Sequence, residues 1–295
     1  MSRQVSPSTD RPYGLQRVAR LWGVARATVY RHRRPGRGER RRPGPVGAMR
    51  DDALVEAIKK LLEDSPFHGE GYRKLWARLR FAGIRTSRRR VLRLTREHGL
   101  LAHQRSGRRH GPRAHDGTIT TDRVDLMWGT DLTSVMTGEG RAAVFVAVDH
   151  CSAECLGIHA SRGADRSEAL EPVRQAVRRC RGGFAKDIAA GIRLRHDHGS
   201  QYVSHDFQRE IRFLGIESSP AFVREPEGNG CAERFIRTLK ENLLWVRRFE
   251  TVEELRLALI AFGQTYNHTW IIERHGYRTP AQVRADQLDQ VPMAA

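Results

Sequence analysis

Three acidic residues have the types and surroundings needed for metal-assisted chemistry on phosphate groups. Asp131 lies in a run that looks extended, and Asp197 closes a stretch of alternating apolar and polar residues. Thirty-five residues separate Asp197 from Glu233, which lies early in an amphipathic helical pattern and is followed seven positions later by Lys240. Carboxylates are preferred ligands of Mg²⁺, and a pair of such cations stabilises the attacking and the leaving oxygen of a phosphoryl displacement. The spacing indicates a metal-dependent enzyme that acts on nucleic acid.

The surroundings of these acids leave two alternatives open. Glu233, Arg237 and Lys240 stand at positions i, i+4 and i+7, so they share one helix face that is suited to metal and to a negatively charged strand. The alternative is an ordinary surface ion pair from Glu233 to Arg237, which stabilises a helix by about 0.2–0.5 kcal/mol. His196 and His198, on either side of the second aspartate, either orient the scissile strand or form local hydrogen bonds.

Positive charge is concentrated in the N-terminal part of the chain. The 295 residues have a formal net charge of +18, and residues 1–115 hold 29 Lys and Arg against 9 Asp and Glu, a net of +20. Residues 116–295 hold 23 against 25, a net of −2. This asymmetry indicates a region that binds a polyanion, attached to a near-neutral globular region. The alternative is a solvated basic surface. No lysine follows a glycine, so the phosphate-binding loop of ATP-driven enzymes is excluded.

Residues 1–45 are predicted to form a helix-turn-helix followed by a basic linker at 35–47. Two short helices are expected around a turn at Gly23. Leu15, Val18, Ala19 and Trp22 form one apolar face, and Val24 and Val29 continue it beyond the turn. The second helix is expected to be a recognition helix in a major groove, which makes Arg26 and Arg31 candidate DNA contacts. The alternative is an unrelated pair of short helices.

Residues 46–115 are predicted to form a second helix-turn-helix module, and a basic linker is expected at 105–118. Apolar residues at helical spacing mark three helices, and Thr86-Ser87 is expected to supply the N-cap of the third. This third helix opens with three arginines, Arg88, Arg89 and Arg90. Their side chains are expected to reach phosphates or base edges. A solvated charged face is the alternative.

Residues 116–295 are predicted to form a mixed α/β sheet with helices on both faces. The expected strands are Val124–Val135, Ala142–Val148, Cys155–Ala160, Ile192–Arg195 and Ile216–Ala221. The expected helices are Ser167–Cys180, His205–Leu214, Gly230–Leu244 and Val252–Tyr266. Functional sites in such sheets gather at the carboxyl ends of strands, which is where Asp131 and Asp197 are expected to lie.

Three motifs carry a resemblance to a known family. They are Trp128-x-x-Asp131-x-Thr133, then His196-Asp197-His198-Gly199-Ser200-Gln201-Tyr202, then Asn229-x-x-x-Glu233-Arg234-Phe235-x-x-Thr238-Leu239-Lys240. Together they resemble the integrase-core transposases of bacterial insertion sequences, in particular the group usually expressed from two overlapping reading frames. The resemblance spans about residues 50–285. It implies an α/β RNase H-like catalytic core at 116–295, preceded by all-α helix-turn-helix modules.

The resemblance also implies roles for particular residues. Asp131, Asp197 and Glu233 are expected to be the catalytic triad and the metal ligands, with two Mg²⁺ or Mn²⁺ ions as the cofactor. Lys240 is expected to contact the terminal DNA of the element. Arg237, on the same helix face, is a further candidate for a DNA contact.

The leading hypothesis is a DNA transposase that cleaves one strand at an element end and uses the freed 3′-hydroxyl for strand transfer. Its expected partners are double-stranded DNA, as terminal inverted repeats and as target, and further copies of itself in a homo-oligomer. Two alternatives stay open: a catalytically inactive DNA-binding regulator, and a nuclease of the same fold without strand transfer. The sequence has no apolar leader and no 18-residue apolar run. We therefore expect a cytoplasmic, nucleoid-associated bacterial protein.

Overall fold

A computed structural model describes residues 3–33, 49–102, 119–221 and 226–289. The chain divides into two compact units, Met1–Ala48 and Met49–Ala295. The basic linkers predicted at 35–47 and 105–118 lie outside the described residues.

The first unit contains a pair of short helices, α1 (Leu15–Leu21) and α2 (Arg26–Arg33), where the sequence predicts them. Gly23 turns the chain between them with a φ of 63°, a left-handed conformation that glycine adopts without steric cost. Ala19 is buried, whereas Trp22 is 63% exposed. Trp22 is therefore mostly exposed, contrary to its expected place in a buried apolar face.

The second unit begins with the predicted three-helix module. Its helices are α3 (Asp51–Glu63), α4 (Tyr72–Phe81) and α5 (Arg88–Glu97). Their buried core comprises Leu54, Val55, Ile58, Leu75, Leu79, Val91 and Leu94. The side chain of Ser87 accepts a hydrogen bond of 3.2 Å from the backbone N–H of Arg90, so the predicted N-cap of α5 is confirmed.

A five-stranded mixed sheet follows, as predicted. Its strands are β1 (Met127–Thr137), β2 (Gly140–Asp149), β3 (Cys155–Ser161), β4 (Arg193–His196) and β5 (Glu217–Pro220). They lie in the order β3-β2-β1-β4-β5. The first three form an antiparallel meander, and β4 and β5 run parallel to β1.

Helices cover both faces of this sheet. They are α6 (Arg166–Arg181), α7 (Ser200–Val203), α8 (His205–Phe213), α9 (Gly230–Leu239), α10 (Val252–Thr269) and α11 (Pro280–Asp289). Alternate residues of β2 serve two cores: Val144 packs in the cluster with α9 and α10, and Phe145 packs in the cluster with α6 and α8. Burial of β2 on both faces explains its nearly continuous apolar sequence. None of the helices in the described ranges is long and apolar enough to cross a membrane.

Two departures from the sequence prediction affect the candidate site. Asp131 lies within β1 and not at its end, but the pairing of β1 with β4 covers only Met127–Gly129, so Asp131 lies just past the end of β4. Helix α9 ends at Leu239, and the wide turn Lys240–Leu244 has π-helical geometry. The prediction of one continuous α-helix from Gly230 to Leu244 is therefore wrong in its last five residues.

The loop between α3 and α4 fastens the three-helix module to the sheet domain. Phe67 is buried in the cluster that holds α9 and α10, and its ring meets that of Trp270 edge-on at 4.8 Å. The next backbone N–H, of His68, donates a hydrogen bond of 2.7 Å to Oδ1 of Asn242 in the wide turn. From α4, the guanidinium of Arg78 donates to the carbonyl oxygen of Thr269 at 3.2 Å. The module is thus in direct contact with the element that follows α9.

Candidate active site

Asp131 carries the most perturbed carboxyl group at the candidate site. The backbone N–H of Leu132 donates a hydrogen bond of 2.8 Å to its Oδ1. Burial raises the pKa of Asp131 to about 6, and the negative charges of Asp197 and Glu233 add to this rise. The hydrogen bond from Leu132 and the positive charge of Lys240 act in the opposite direction. The charges of Asp197, Glu233 and Lys240 thus all lie close enough to Asp131 to act on its carboxyl group.

Asp197 follows directly on β4, at the carboxyl end predicted for it. Its side chain is exposed, and its Oδ1 accepts a hydrogen bond of 2.8 Å from the backbone N–H of Gly199. That bond turns the chain from the strand into α7. The carboxylate is therefore held at the edge of the sheet while its second oxygen faces solvent or a ligand.

The two histidines that flank Asp197 form local hydrogen bonds. Buried His196 uses both ring nitrogens: Nδ1 lies 2.7 Å from the carbonyl oxygen of Asp197, and Nε2 lies 2.9 Å from Oγ of Ser218. Exposed His198 has its Nε2 at 2.7 Å from the carbonyl oxygen of Ala221. Of the two alternatives that the sequence left open, His196 follows the local one, because neither of its nitrogens is left for DNA.

Glu233 lies in the first turn of α9 and faces Asp131 across a pocket. Partial burial raises the pKa of Glu233, and the positive charge of Arg237 opposes that shift. An open pocket of about 300 Å³ is lined by Asp131, Glu233, Arg237, Lys240 and Trp245, among others. The shared helix face that the spacing predicted is therefore present, and it borders the perturbed aspartate.

A buried amide connects the strand to the helix of this site. Nδ2 of Asn229 donates a hydrogen bond of 3.0 Å to the carbonyl oxygen of Thr130, one residue before Asp131. Gly129 makes room for this contact, because a Cβ there would lie 2.7 Å from Oδ1 of Asn229 and 2.8 Å from Nε2 of His150. Glycine at this position lets the turn before α9 pack directly on the backbone of β1.

Tyr202 is fully buried beneath the site. Its ring stacks on His196 with the centroids 5.7 Å apart. Burial raises the pKa of the Tyr202 phenol above its ordinary value, and the negative charges of Asp131 and Asp197 raise it further. The phenol is therefore neutral, and both aspartates lie close enough to act on it, Asp131 from β1 and Asp197 from the position after β4.

The acids at the site have the chemistry of hard-cation ligands. Asp131, Asp197 and Glu233 offer carboxylate oxygens, which Mg²⁺ and Mn²⁺ prefer. Burial raises the pKa of Asp131 and the nearby charges of Asp197 and Glu233 raise it further, so a cation among these acids would relieve unfavourable negative charge. Within the described ranges, no three His, Cys, Asp or Glu side chains converge closely enough to form a ready-made metal site. The donor set therefore fits such a cation in type, and the side chains must approach one another to chelate it.

Comparison with known protein families agrees with this architecture. A family described as an integrase core domain matches residues 121–226, and a second family of the same description matches residues 214–280. A third, described as an HTH-like domain, matches residues 49–109. The chain is an integrase-core protein. All five strands of the mixed sheet lie within the residues that the first of these families matches.

Curated relatives of this integrase-core protein come from insertion elements of Escherichia coli. The chain is 26% identical over 284 residues to a protein named transposase InsD for insertion element IS2, covering 92% of this chain and 91% of that one. It is also 26% identical over 289 residues to a 48.2 kDa protein of insertion element IS2A, covering 94% of this chain and 66% of that longer one.

Solved structures similar to the integrase-core protein are retroviral integrases. The catalytic core domain of BIV integrase has a TM-score of 0.42 at 20% identity and covers 56% of this chain and 97% of its own. The catalytic core domain of HTLV-2 integrase, solved with magnesium, has a TM-score of 0.41 at 17% identity and covers 55% of this chain and 98% of its own.

The arginines predicted to contact DNA differ in their surroundings. In the HTH-like domain, the guanidinium of Arg88 lies 4.3 Å from the ring of Trp76, and that of Arg90 donates to Oδ1 of Asp51 at 2.8 Å. Arg89, between them, is exposed. In the first unit, Arg26 and Arg31 are exposed on α2. Arg89, Arg26 and Arg31 are therefore accessible to a partner, whereas Arg88 and Arg90 are engaged within the fold.

Three residues of the site escaped the sequence reasoning. Asn229 opens the third sequence motif, which assigns it no role, although it joins β1 to α9. Asn242 lies in the wide turn after α9, and Trp245 directly follows that turn and lines the pocket with Glu233. An asparagine just before a helix is a weak signal for a clamp, and nothing in the helical spacing pointed to Trp245.

Proposed function

We propose that this integrase-core protein is a DNA transposase of the DDE type, which cleaves one strand at an element end and joins the freed 3′-hydroxyl to another phosphodiester. One observation carries the proposal: Asp131, Glu233 and Lys240 line one pocket, and the charge of Asp197 acts on the buried Asp131 there, in a core whose relatives are named transposases. The integrase-core family supports a polynucleotidyl transferase in general. The triad assignment and the order of the two steps are the finer part of the proposal.

In this proposal Asp131, Asp197 and Glu233 hold two Mg²⁺ or Mn²⁺ ions. Bound divalent cations neutralise charge at a scissile phosphate and lower the pKa of the attacking water or hydroxyl. Asp131 and Asp197 contribute their oxygens from neighbouring strands of one rigid sheet, and Glu233 contributes its oxygens from α9. Lys240 and Arg237, on the same side of α9, bind the phosphates next to the scissile one.

We further propose that double-stranded DNA is bound along the basic N-terminal part, with terminal inverted repeats recognised by the helical modules. Residues 1–115 carry a net charge of +20, so binding displaces many counterions and its affinity falls steeply with salt. An element has two ends and each chain contributes one triad. A homo-oligomer that holds both ends and the target therefore suits the reaction.

The test uses the full chain and a duplex carrying the inverted repeat that brackets its reading frame. Asp131→Asn, Asp197→Asn and Glu233→Gln are each expected to abolish Mg²⁺-dependent nicking and joining while binding of the duplex persists. Glu217→Gln is the matched control, because Glu217 is exposed on β5 and pairs in register with Arg193, at the opposite end of β4 from Asp197. Retention of joined product by any of the three triad variants would contradict the assignment.

The same assay separates the two alternative functions. A wild-type chain that nicks the duplex without producing joined strands is a nuclease of this fold. A wild-type chain that binds the duplex but leaves it intact with Mg²⁺ and with Mn²⁺ is a DNA-binding regulator. Either result would contradict the transposase proposal.

A further inference from the structure

The wide turn after α9 places the side chain of Trp245 at the candidate active site. The backbone N–H of Trp245 donates a hydrogen bond of 2.9 Å to the carbonyl oxygen of Lys240, an i→i−5 bond. In an α-helix, side chains five residues apart point about 140° away from each other. The wider turn instead brings Trp245 to the side that carries Lys240, and both line the pocket with Asp131 and Glu233. Such π-type turns are frequent at functional sites.

Trp245 is held in this place by buried contacts. Asn242, in the middle of the turn, donates from Nδ2 to the carbonyl oxygen of Thr238 at 2.8 Å. Its Oδ1 accepts a hydrogen bond of 2.7 Å from the backbone N–H of His68, in the HTH-like domain. Leu244, directly before Trp245, is buried in the core beneath α9. The tryptophan is therefore positioned from a packed element and not from a loose loop tip.

Trp245 is more than half exposed and lies among positively charged side chains. Its side chain is 58% exposed, an unusual state for the largest aromatic residue at the rim of a charged pocket. Lys240 and Arg237 line the same pocket, and the exposed Arg248 follows in the chain. An exposed aromatic ring among cations is the arrangement with which proteins bind single-stranded nucleic acid, because bases stack on the ring while the cations bind the backbone.

We propose that Trp245 stacks on an unpaired nucleobase at the DNA end, beside the phosphate that the triad acts on. The ligand class is an unpaired base, because a base inside a duplex already stacks on its neighbours and must leave them to reach a protein ring. This inference rests on the proposed function, since it takes the triad pocket as the place where DNA is cut.

The experiment places 2-aminopurine at each of the last three positions of the inverted-repeat duplex in turn and measures its fluorescence with the full chain. In the absence of Mg²⁺, stacking on Trp245 is expected to quench the fluorescence of 2-aminopurine at one of these positions. Mg²⁺ is then added, and the amount of joined product is measured. Trp245→Ala is expected to remove the quench and to lower joining about tenfold or more. Trp245→Phe keeps a ring and is expected to retain most of both signals.

Two further variants separate stacking from packing. Trp245→Leu keeps an apolar side chain without a ring and is expected to behave like Trp245→Ala. Val246→Ala is the matched control, because Val246 is 56% exposed beside the tryptophan and does not line the pocket; it is expected to match the wild type.

The opposite results overturn the proposal. A quench that persists in Trp245→Ala, or a Trp245→Leu variant as active as the wild type, would show that the ring does not stack on DNA. If Trp245→Ala changes the sedimentation coefficient of the protein but leaves the quench unchanged from the wild type, the ring contacts a second copy of the chain and not DNA. A Trp245-dependent quench in a wild-type chain that makes no nicked or joined product supports the stacking and contradicts only the proposed function.

Discussion

Asn229 donates a hydrogen bond of 3.0 Å to the carbonyl oxygen of Thr130, and this bond ties the start of α9 to the strand that carries Asp131. The pairing of β1 with β4 stops at Gly129, so the amide supplies a donor to the carbonyl just past that point. Asn229 is buried, and Gly129 leaves the space that it occupies. The relative placement of Asp131 and Glu233 therefore depends on a side chain that belongs to neither the strand nor the helix.

We expect Asn229→Ala to impair strand joining far more than it impairs folding. Loss of this bond leaves the buried Thr130 carbonyl without that donor, at a cost of about 1–3 kcal/mol in the free energy of unfolding. A displacement of Glu233 by about 1 Å is expected to lower the rate on the order of 100-fold. Asn229→Asp is expected to be at least as inactive, because it directs a carboxylate oxygen at a carbonyl. Thermal unfolding and joined-product assays on both variants check this, and near wild-type joining by Asn229→Asp would refute it.

Replacing Asp131 by Asn is expected to stabilise the metal-free protein while it removes activity. The pKa of Asp131 rises from an ordinary 3.8 to about 6 in the fold, so the ionised carboxylate costs the folded state up to about 3 kcal/mol. Because the folded-state pKa lies above the unfolded one, this cost is fully present above pH 6 and disappears as the pH falls toward 4. Asparagine keeps the oxygen that accepts from Leu132 and carries no charge.

Melting curves of both proteins in EDTA at pH 7.5 and pH 4 measure this effect. The Tm of Asp131→Asn is expected to exceed that of the wild type at pH 7.5 by roughly 2–4 °C for each kcal/mol, and to match it at pH 4. Mg²⁺ is expected to raise the Tm of the wild type and to leave the variant unchanged, because only the wild type keeps the full donor set. A variant that melts below the wild type at pH 7.5 would contradict the unfavourable charge.

Part of the candidate site can be predicted from the sequence, and part depends on contacts that the sequence does not reveal. Glu233, Arg237 and Lys240 were predictable as one face because α-helical spacing holds up to Lys240. Beyond that point an i→i−5 bond changes the phase, so Trp245 lies where helical spacing does not place it. The position of Asp131 depends on where β4 stops pairing with β1, and that is a property of two strands far apart in sequence.

The arginines that open α5 are expected to separate into one that binds DNA and one that supports the fold. Arg89 is exposed, whereas the guanidinium of Arg90 donates to Asp51 and to the carbonyl oxygen of Met49 across the module. Arg89→Ala is expected to weaken duplex binding, to reduce the salt slope by about 1 and to leave the Tm unchanged. Arg90→Ala is expected to lower the Tm. Filter binding at several salt concentrations and melting curves test both variants. If Arg89→Ala and Arg90→Ala lose affinity for the duplex equally and neither changes the Tm, the two arginines do not have these separate roles.

Lys74 is expected to make the stability of the unit formed by the HTH-like domain and the core depend on pH. Its ammonium lies 2.7 Å from the ring centroid of Trp270 and 4.0 Å from a carboxylate oxygen of Glu70. Burial lowers the pKa of Lys74 to about 7, although the charge of Glu70 opposes the shift. Through Lys74 the unfolded chain then binds one more proton than the folded chain between pH 7 and about 10, so the contribution of Lys74 to the free energy of unfolding rises with pH across that window and is constant below it.

Lys74→Met removes this titration and keeps the length of the side chain. We expect the variant to be more stable than the wild type near pH 6.5, and we expect the difference to shrink as the pH rises to 9.5, because the wild type sheds the proton that its fold disfavours. Chemical unfolding at four pH values measures this. Lys59→Met, which removes an exposed lysine of α3 paired with Glu56, controls for the general effect of pH on charge. A constant difference across the window would mean that the face of Trp270 keeps the ammonium charged.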